Sequence, residues 1–266
     1  DFAAVGAQAI YTDRPTITYV PMTGEKFLKG LITPIEPRNI FYMLQSGYAA
    51  DFILALTVDS LNGVRNRAVT AGSVREADPE FRRALELLRE VQASGAFGML
   101  VEEAKDKGST AVLFFRNKDV PADVLEKVSE IKRLLRLPEG EHKYVLTYSP
   151  VRGAEDEFAV GSRSMFQILS AFASYVDVPE EHLEEHRAVQ VGDAAQSGSL
   201  QQVVRIRSSK EQPPDAFASV FYRDHWYWID DGDAETKRAL TAVMFFFTLE
   251  GSGAAENLPL VTIPTQ

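Results

Sequence analysis

The sequence predicts an α+β fold in which a mixed or antiparallel sheet is combined with several amphipathic helices. Apolar residues recur at helical spacing in some segments, and short β-branched or aromatic runs mark strands in others. The two kinds of segment do not alternate strictly, which disfavours a regular doubly wound α/β fold. With 266 residues, 45% of them hydrophobic, the chain can form one elaborated domain over 1–266. The alternative is a subdivision near residue 150, into a helix-rich half (1–150) and a hairpin-containing half (151–266).

Prolines and glycines delimit the elements predicted at the start of the chain. Residues 14–21 are β-branched and aromatic between two prolines, which is typical of an edge strand. Pro37 suits the first position of a helix, because its ring already has a helical φ. The predicted helices run from Thr23 to near Pro34, from Pro37 to Gln45, and from about Ala49 to Leu61, where Asn62-Gly63 ends the third.

The middle of the chain predicts two amphipathic helices and two strands. Asp78-Pro79 supplies an N-cap and first-turn pair for a helix that continues to about Ala93. A strand at 110–115, a helix at 121–136 and a strand at 143–148 follow. This order allows either a right-handed parallel crossover or antiparallel pairing of the two strands.

The last hundred residues repeat the mixture. A short strand (158–160) precedes a helix (162–176) with Phe166, Leu169 and Phe172 or Ala173 facing inward, and Val191–Leu200 reads as a loop. We also predict a strand at 203–207, a hairpin at 217–230, a helix capped by Asp233 at 234–249 and a last strand at 261–263. The apolar stripe of that final helix predicts that it covers an aromatic face of the hairpin, with Phe247 in the core.

Charge and composition exclude several classes of protein. The chain has 28 Lys+Arg against 38 Asp+Glu, a net charge of −10, which argues against a general nucleic-acid binder. The lack of cysteine excludes disulfides, cysteine-ligated metals and thiol catalysis. No G-x-S-x-G, P-loop or G-x-G-x-x-G motif occurs, and we expect no cofactor. The longest apolar stretch, 240–249, is about half the ~20 residues that a bilayer requires.

One segment matches a metal-binding motif. His182-Leu183-Glu184-Glu185-His186 fits H-x-x-E-H, in which two histidines on one helical face ligate zinc and Glu185 serves as general base. No third ligand stands out downstream. A solvent-exposed acidic helix explains the same residues and is preferred, so a metal-dependent hydrolase that uses His182, Glu185 and His186 is kept as an alternative.

Two further motifs have both a functional and a structural explanation. Asp230-Asp231-Gly232-Asp233 resembles part of a calcium loop but lacks the later bidentate Glu, so helix capping by Asp233 is preferred. Strand periodicity places Trp226 and Trp228 on one face, where exposed rings could stack on sugars or on a partner. Core packing of at least one face of that strand is preferred.

Phe97 and Met99 form a second candidate contact surface. They lie in a small, glycine-containing segment, Ser94–Leu100, that follows an amphipathic helix. Glycines could leave both side chains exposed, and methionine adapts its shape to varied partners. Inward-facing Phe97 and Leu100, which would extend the apolar stripe of the helix, are the preferred alternative.

Several short stretches together resemble a family of bacterial, (outer-)membrane-anchored lipoproteins of unknown function. The stretches are Pro21–Phe27, Leu31–Ile35, Leu44–Tyr48, Ser60–Asn66, Val176–His182 and Trp226–Asp231. The resemblance implies an N-terminal lipidated cysteine and a helical segment ahead of this domain. This chain has no cysteine, and we expect its membrane attachment to reside only in a missing N-terminal segment. No catalytic residues come with the resemblance.

These observations predict a non-enzymatic, periplasm-facing interaction or assembly module of a membrane-anchored lipoprotein. We expect its partner to be a protein of the cell envelope and not a nucleic acid. The metal-dependent hydrolase is one alternative. A carbohydrate-binding module that uses Trp226 and Trp228 is the other.

Overall fold

A computed structural model describes residues 16–19, 24–70, 73–104, 108–188, 204–254 and 261–264. Within these ranges the chain forms eight helices, a six-stranded mixed sheet, a three-stranded antiparallel sheet and two two-stranded sheets. The predicted α+β fold is confirmed. In the described ranges no helix is both long enough and apolar enough to span a membrane.

The helices follow the predicted order. They are α1 (Glu25–Ile32), α2 (Pro37–Gln45), α3 (Ala50–Thr57), α4 (Pro79–Ala93), α5 (Ala122–Leu134), α6 (Met165–Ala173), α7 (Glu180–Glu184) and α8 (Ala234–Ala254). The helix predicted at 37–45 has these bounds in the structure, because Pro37 occupies its first turn.

The strands divide into four sheets. The strands are β1 (Thr16–Tyr19), β2 (Val58–Leu61), β3 (Val64–Arg65), β4 (Ala68–Thr70), β5 (Ser73–Arg75), β6 (Phe97–Ala104), β7 (Gly108–Phe115), β8 (Lys143–Tyr148), β9 (Glu157–Ser162), β10 (Arg207–Ser209), β11 (Ala216–Tyr222), β12 (His225–Asp230) and β13 (Val261–Pro264). The predicted edge strand near the N-terminus is β1, and it pairs with the predicted last strand, β13.

The six-stranded sheet organises the core. Its order is β3-β2-β9-β8-β7-β6, and only β8 and β9 run parallel. The two strands that flank α5, β7 and β8, are antiparallel neighbours, which decides the alternative left open by the sequence. Because β8 pairs with β9, the sheet crosses the boundary suggested near residue 150. Helices α2 and α4 lie against this sheet, and Phe41 of α2 contacts the rings of Phe97 and Phe158.

The helix predicted from Ala49 to Leu61 is too long. It ends at Thr57, and the next four residues form β2, which pairs with β9 and β3. Asn62 and Gly63 have φ values of 48° and 78° and form the turn between β2 and β3. Tertiary pairing with β9 therefore overrides the continued helical pattern of the apolar residues.

Helix α6 faces the core with a different stripe from the one predicted. Met165, Ile168 and Phe172 are buried, whereas Phe166 and Leu169 are exposed. Ser164 and Gln167 form a capping box that starts the helix. The inward position predicted for Phe166 and Leu169 is wrong because α6 contacts α1 and α8 through the adjacent face.

The predicted packing of the hairpin beneath the last helix is also wrong. Helix α8 packs against α1 and α6, and its buried residues include Ala239, Ala242, Val243 and Phe246. Phe247 is only partly buried, at the margin of the core, where its ring lies 6.4 Å from that of Phe27. The strand predicted at 203–207 is displaced to Arg207–Ser209, and the loop predicted at 191–200 lies outside the described residues.

Candidate functional site

The hairpin predicted at 217–230 is formed by β11 and β12, with β10 on the other side of β12. Its turn residues, Arg223 and Asp224, both have positive φ, 50° and 63°. A two-residue turn with two positive φ values matches the right-handed twist of the flanking strands. The turn therefore fixes the register of the sheet, in which Tyr222 lies opposite His225 and Phe221 opposite Trp226.

One side of this sheet is an aromatic face formed by Phe221, Trp226 and Trp228. The rings of Phe221 and Trp226 lie 5.2 Å apart between centroids, at an angle of 52°. Trp228 is paired with Ser219 on one side and with Arg207 on the other. Both tryptophans are partly exposed, so the prediction that they share a face is confirmed and their rings remain accessible.

The opposite side of the sheet is anchored to α7 by histidine and tyrosine. His182 and His225 are both buried, and their rings lie 4.9 Å apart in an edge-to-face arrangement. The hydroxyl of Tyr227 lies 3.2 Å from Nδ1 of His182, and burial raises the pKa of that phenol. Glu181 pairs with Lys210 beside them, and this ion pair lowers the pKa of Glu181. These contacts make α7 a support for the sheet.

The same contacts separate the residues of the H-x-x-E-H motif. Helix α7 ends at Glu184, and His186 lies beyond it with a φ of 55°. His182 faces the sheet, whereas Glu185 and His186 are exposed, and Glu185 pairs with Arg187 at 2.8 Å. The helical geometry assumed for a ligand pair is therefore wrong. No group of three potential metal ligands occurs among the described residues.

The acidic turn before α8 is held by separate partners. Oδ1 of Asp233 accepts a hydrogen bond of 2.9 Å from the backbone N–H of Thr236, as an N-cap does. Asp230 pairs with Arg207 at 3.4 Å, and Asp231 pairs with Lys237 at 3.2 Å. Each carboxylate thus has its own role in the fold, in agreement with the capping interpretation.

Phe97 and Met99 belong to the core, and an exposed patch built on them is excluded. Both are buried on β6, at 9% and 5% exposure. The ring of Phe97 lies 5.4 Å from that of Phe115 and 6.1 Å from that of Phe41. Gly98, next to Phe97, serves packing, because a Cβ there would meet the ring of Phe114 at 2.7 Å.

The feature that the sequence did not identify is the free edge of the three-stranded sheet, formed by β11. The outer side of β11 has no paired strand in the part of the chain that the structure describes. The exposed fractions of its large apolar side chains lie between 49% and 59%: Phe217, Val220, Phe221 and Tyr222. The apolar residues Val220, Phe221 and Tyr222 are consecutive and do not alternate with polar ones. A consecutive apolar run ordinarily predicts a strand buried on both faces.

A cleft of about 440 Å³ lies between α3, α4 and α8. Two ion pairs line it, Arg89 with Asp51 at 3.0 Å and Arg238 with Glu235 at 3.1 Å. Because these charges are paired with each other, the cleft does not indicate a particular ligand.

Comparison with family models, curated proteins and solved structures finds no match to this chain. The resemblance to envelope lipoproteins therefore remains a prediction from the short stretches that carry it.

Proposed function

We propose that this protein is an interaction module whose contact surface consists of the aromatic face and the free edge of β11. The observation that carries the proposal is the exposure of four large apolar side chains on a strand whose outer edge no other described strand pairs with. An edge strand of this kind presents free backbone N–H and C=O groups to other chains. Natural proteins usually protect such edges with charges, prolines or a covering segment.

The composition of the surface supports a protein partner. Tryptophan, tyrosine and phenylalanine are enriched in protein interfaces, where they account for much of the binding energy. The support provided by His182 and Tyr227 keeps the sheet in place without a partner, so binding need not involve folding of the sheet. Preorganised surfaces of this kind lose less entropy on association.

The location that we propose is the periplasmic side of a bacterial envelope, with attachment through a lipidated N-terminal segment. The resemblance of stretches such as Ser60–Asn66 to envelope lipoproteins supports this location. The net charge of −10 favours a protein partner over a nucleic acid.

Site-specific photocrosslinking tests the proposed surface. A photoreactive phenylalanine analogue replaces Phe221 in one variant and Phe166 in a matched control; the two side chains are 54% and 58% exposed. After irradiation of cells of the source bacterium, we expect a protein adduct of discrete mass at position 221 and not at 166. Equal labelling at both positions, or no adduct at 221, would contradict the proposal.

Carbohydrate binding is a second candidate, favoured by the position of Trp226 and Trp228 on one face beside Phe221. Sugars stack on aromatic rings, and Ser219 and Arg207 border the tryptophans as potential hydrogen-bond partners. Titration with soluble cell-wall saccharides should then change tryptophan fluorescence, and Trp228→Ala should abolish the change. An unchanged spectrum at millimolar saccharide rejects this candidate.

A further inference from the structure

We infer that the contact between α7 and the three-stranded sheet is an acid-sensitive switch, in which the buried pair of His182 and His225 accepts no more than one proton while α7 is docked. A second proton binds only after the two rings separate. Acidification therefore favours release of α7 from the sheet. The inference concerns the support of the sheet and does not depend on what the aromatic face binds.

The sheet depends on this pair for its attachment near the hairpin turn. On β12, His225, Tyr227 and Ile229 alternate with the two tryptophans and lie on the side opposite the aromatic face. His225 and Ile229 are the two buried side chains among the described residues of β10, β11 and β12. Ile229 lies near the far end of β12, whereas His225 directly follows the turn. The turn end is thus held through His225 and through Tyr227, which both contact His182.

The geometry of the two rings accommodates one proton and opposes a second. Nδ1 of His225 donates to the carbonyl oxygen of Arg223 at 3.2 Å, and Nδ1 of His182 lies 3.2 Å from the hydroxyl of Tyr227. A hydroxyl can donate or accept, so the contact with Tyr227 persists when His182 gains a proton. A second imidazolium would place two like charges 4.9 Å apart between ring centroids. Burial of both rings keeps water from screening that repulsion.

The nearest carboxylate does not compensate a second proton. Glu181 precedes His182, but its carboxylate is paired with the ammonium of Lys210. The hydrogen bond from Lys210 is the largest cause of the lowered pKa of Glu181, and the charges of the two histidines contribute less. On the sheet side, Arg223 adds a positive charge two residues before His225. The charges close to the pair therefore favour one proton at most.

The other titratable groups of the packed elements have little influence on the pair. Glu180 and Glu184 of α7 are exposed, so water and salt screen their charges. Glu185, just beyond α7, pairs with Arg187 at 2.8 Å. Burial raises the pKa of the Tyr227 phenol, which therefore stays uncharged between pH 5 and 8. The two imidazoles are thus the groups that change charge at this contact in that range.

The expected effect follows from the number of protons taken up on release. Imidazole in water titrates at about pH 6.5, so the two histidines of a released α7 and sheet bind two protons well below that pH. The docked pair binds one, so release takes up one further proton. The contact is therefore at full strength above about pH 7 and weakens as the pH falls. The loss is about tenfold per pH unit below 6.5, or about 30-fold at pH 5.

Urea unfolding followed by tryptophan fluorescence measures this loss, because both tryptophans of the chain lie on β12. The comparison is between wild-type protein and His225→Phe, which keeps an aromatic ring but binds no proton. From pH 7.5 to pH 5, the equilibrium constant for unfolding should rise about 30-fold more in the wild-type protein. His225→Asn, whose amide can still donate to the carbonyl of Arg223, should behave like His225→Phe.

His186→Asn is the matched control. His186 is exposed just beyond α7, and asparagine tolerates its positive φ of 55°. This variant should keep the pH dependence of the wild-type protein. Equal pH dependence in the wild-type protein and both His225 variants, or loss of the dependence in His186→Asn, would overturn the inference.

Proton NMR counts the bound protons without any substitution. The chain has four histidines, whose ring signals report their protonation one by one. We expect exposed His186 to titrate fully between pH 8 and pH 5, and the pair to take up one proton while the contact between its rings persists. Full protonation of both His182 and His225 with that contact retained would refute the inference. Photocrosslinking at position 221 tests the proposed contact surface separately, so either can fail without the other.

Discussion

Replacement of the buried Arg163 by methionine should strongly destabilise the fold. The Arg163 side chain lies at the junction of β9 and α6 and is 92% buried within the protein, with an exposed fraction of 8%. Its Nη1 donates hydrogen bonds of 3.2 Å to the carbonyl oxygens of Ala55 and Leu56, and Nη2 donates to that of Arg67. One side chain thus joins the end of α3, the segment before β4 and the start of α6.

The magnitude follows from the acceptors that lose a donor. The carbonyl of Ala55 keeps a bond of 3.0 Å from the side-chain amide of Asn66, so this acceptor is not left unpaired. Bonds from charged donors contribute about 1.5–3 kcal/mol each. Part of this is offset because burial of the guanidinium is costly, as its lowered pKa indicates. We expect Arg163→Met to reduce the free energy of unfolding by about 3 kcal/mol.

Urea unfolding followed by circular dichroism measures the effect. Arg82→Met is the matched control, because Arg82 is exposed on α4 and should change stability by no more than about 0.5 kcal/mol. Arg163→Lys keeps the charge without the planar fork and should give an intermediate loss. A loss below about 1 kcal/mol for Arg163→Met, the scale of surface substitutions, would refute this account of the junction.

Three further substitutions test the core, an ionisable side chain and a helix cap. Phe246→Ala should lower the free energy of unfolding in urea by about 3–5 kcal/mol because Phe246 is fully buried. Phe247→Ala should cost less, because Phe247 is only partly buried. A larger loss for Phe247→Ala would restore the prediction that Phe247 lies in the core. Burial raises the pKa of Tyr144 to about 12, so its contribution to stability is complete below pH 10 and is lost as pH rises through 12. Tyr144→Phe should therefore flatten the dependence of the unfolding free energy on pH between pH 10 and 12. An unchanged slope in the variant contradicts this. Asp233→Ala should lower the thermal midpoint, because loss of the cap costs about 1 kcal/mol of unfolding free energy. Asp233→Asn should retain most of that stability, since the amide oxygen can still accept the bond. Equal losses of stability in the two variants would show that capping is not the cause.

Much of the secondary structure was predictable from local signals. The helix from Pro37 to Gln45 and the strand from Lys143 to Tyr148 have their predicted bounds, and the hairpin spans 216–230 where 217–230 was predicted. Proline at a helix start and an alternating strand act through their own backbone, so no distant residue is needed. The helix predicted through Leu61 was wrong because Val58 pairs with β9, about one hundred residues later in the chain.

The candidate site was only partly predictable for the same reason. Strand periodicity placed Trp226 and Trp228 on one face, and the structure agrees. Exposure could not be predicted. Phe97 was a candidate contact residue but is buried against Phe115, whereas one aromatic face of the hairpin was expected beneath the last helix and Phe221 of that hairpin is exposed. Apolar side chains look alike in a sequence whether they face a core or a partner.

The sequence by itself determined the fold class, the turns and caps, and the absence of thiol chemistry. These properties depend on residue identity and local spacing. The tertiary structure alone decided that α8 packs on α1 and α6, that His182 supports the sheet, and that the outer edge of β11 pairs with no strand in the described ranges. These depend on which distant segments meet, because burial is a property of the assembled neighbours and not of the residue.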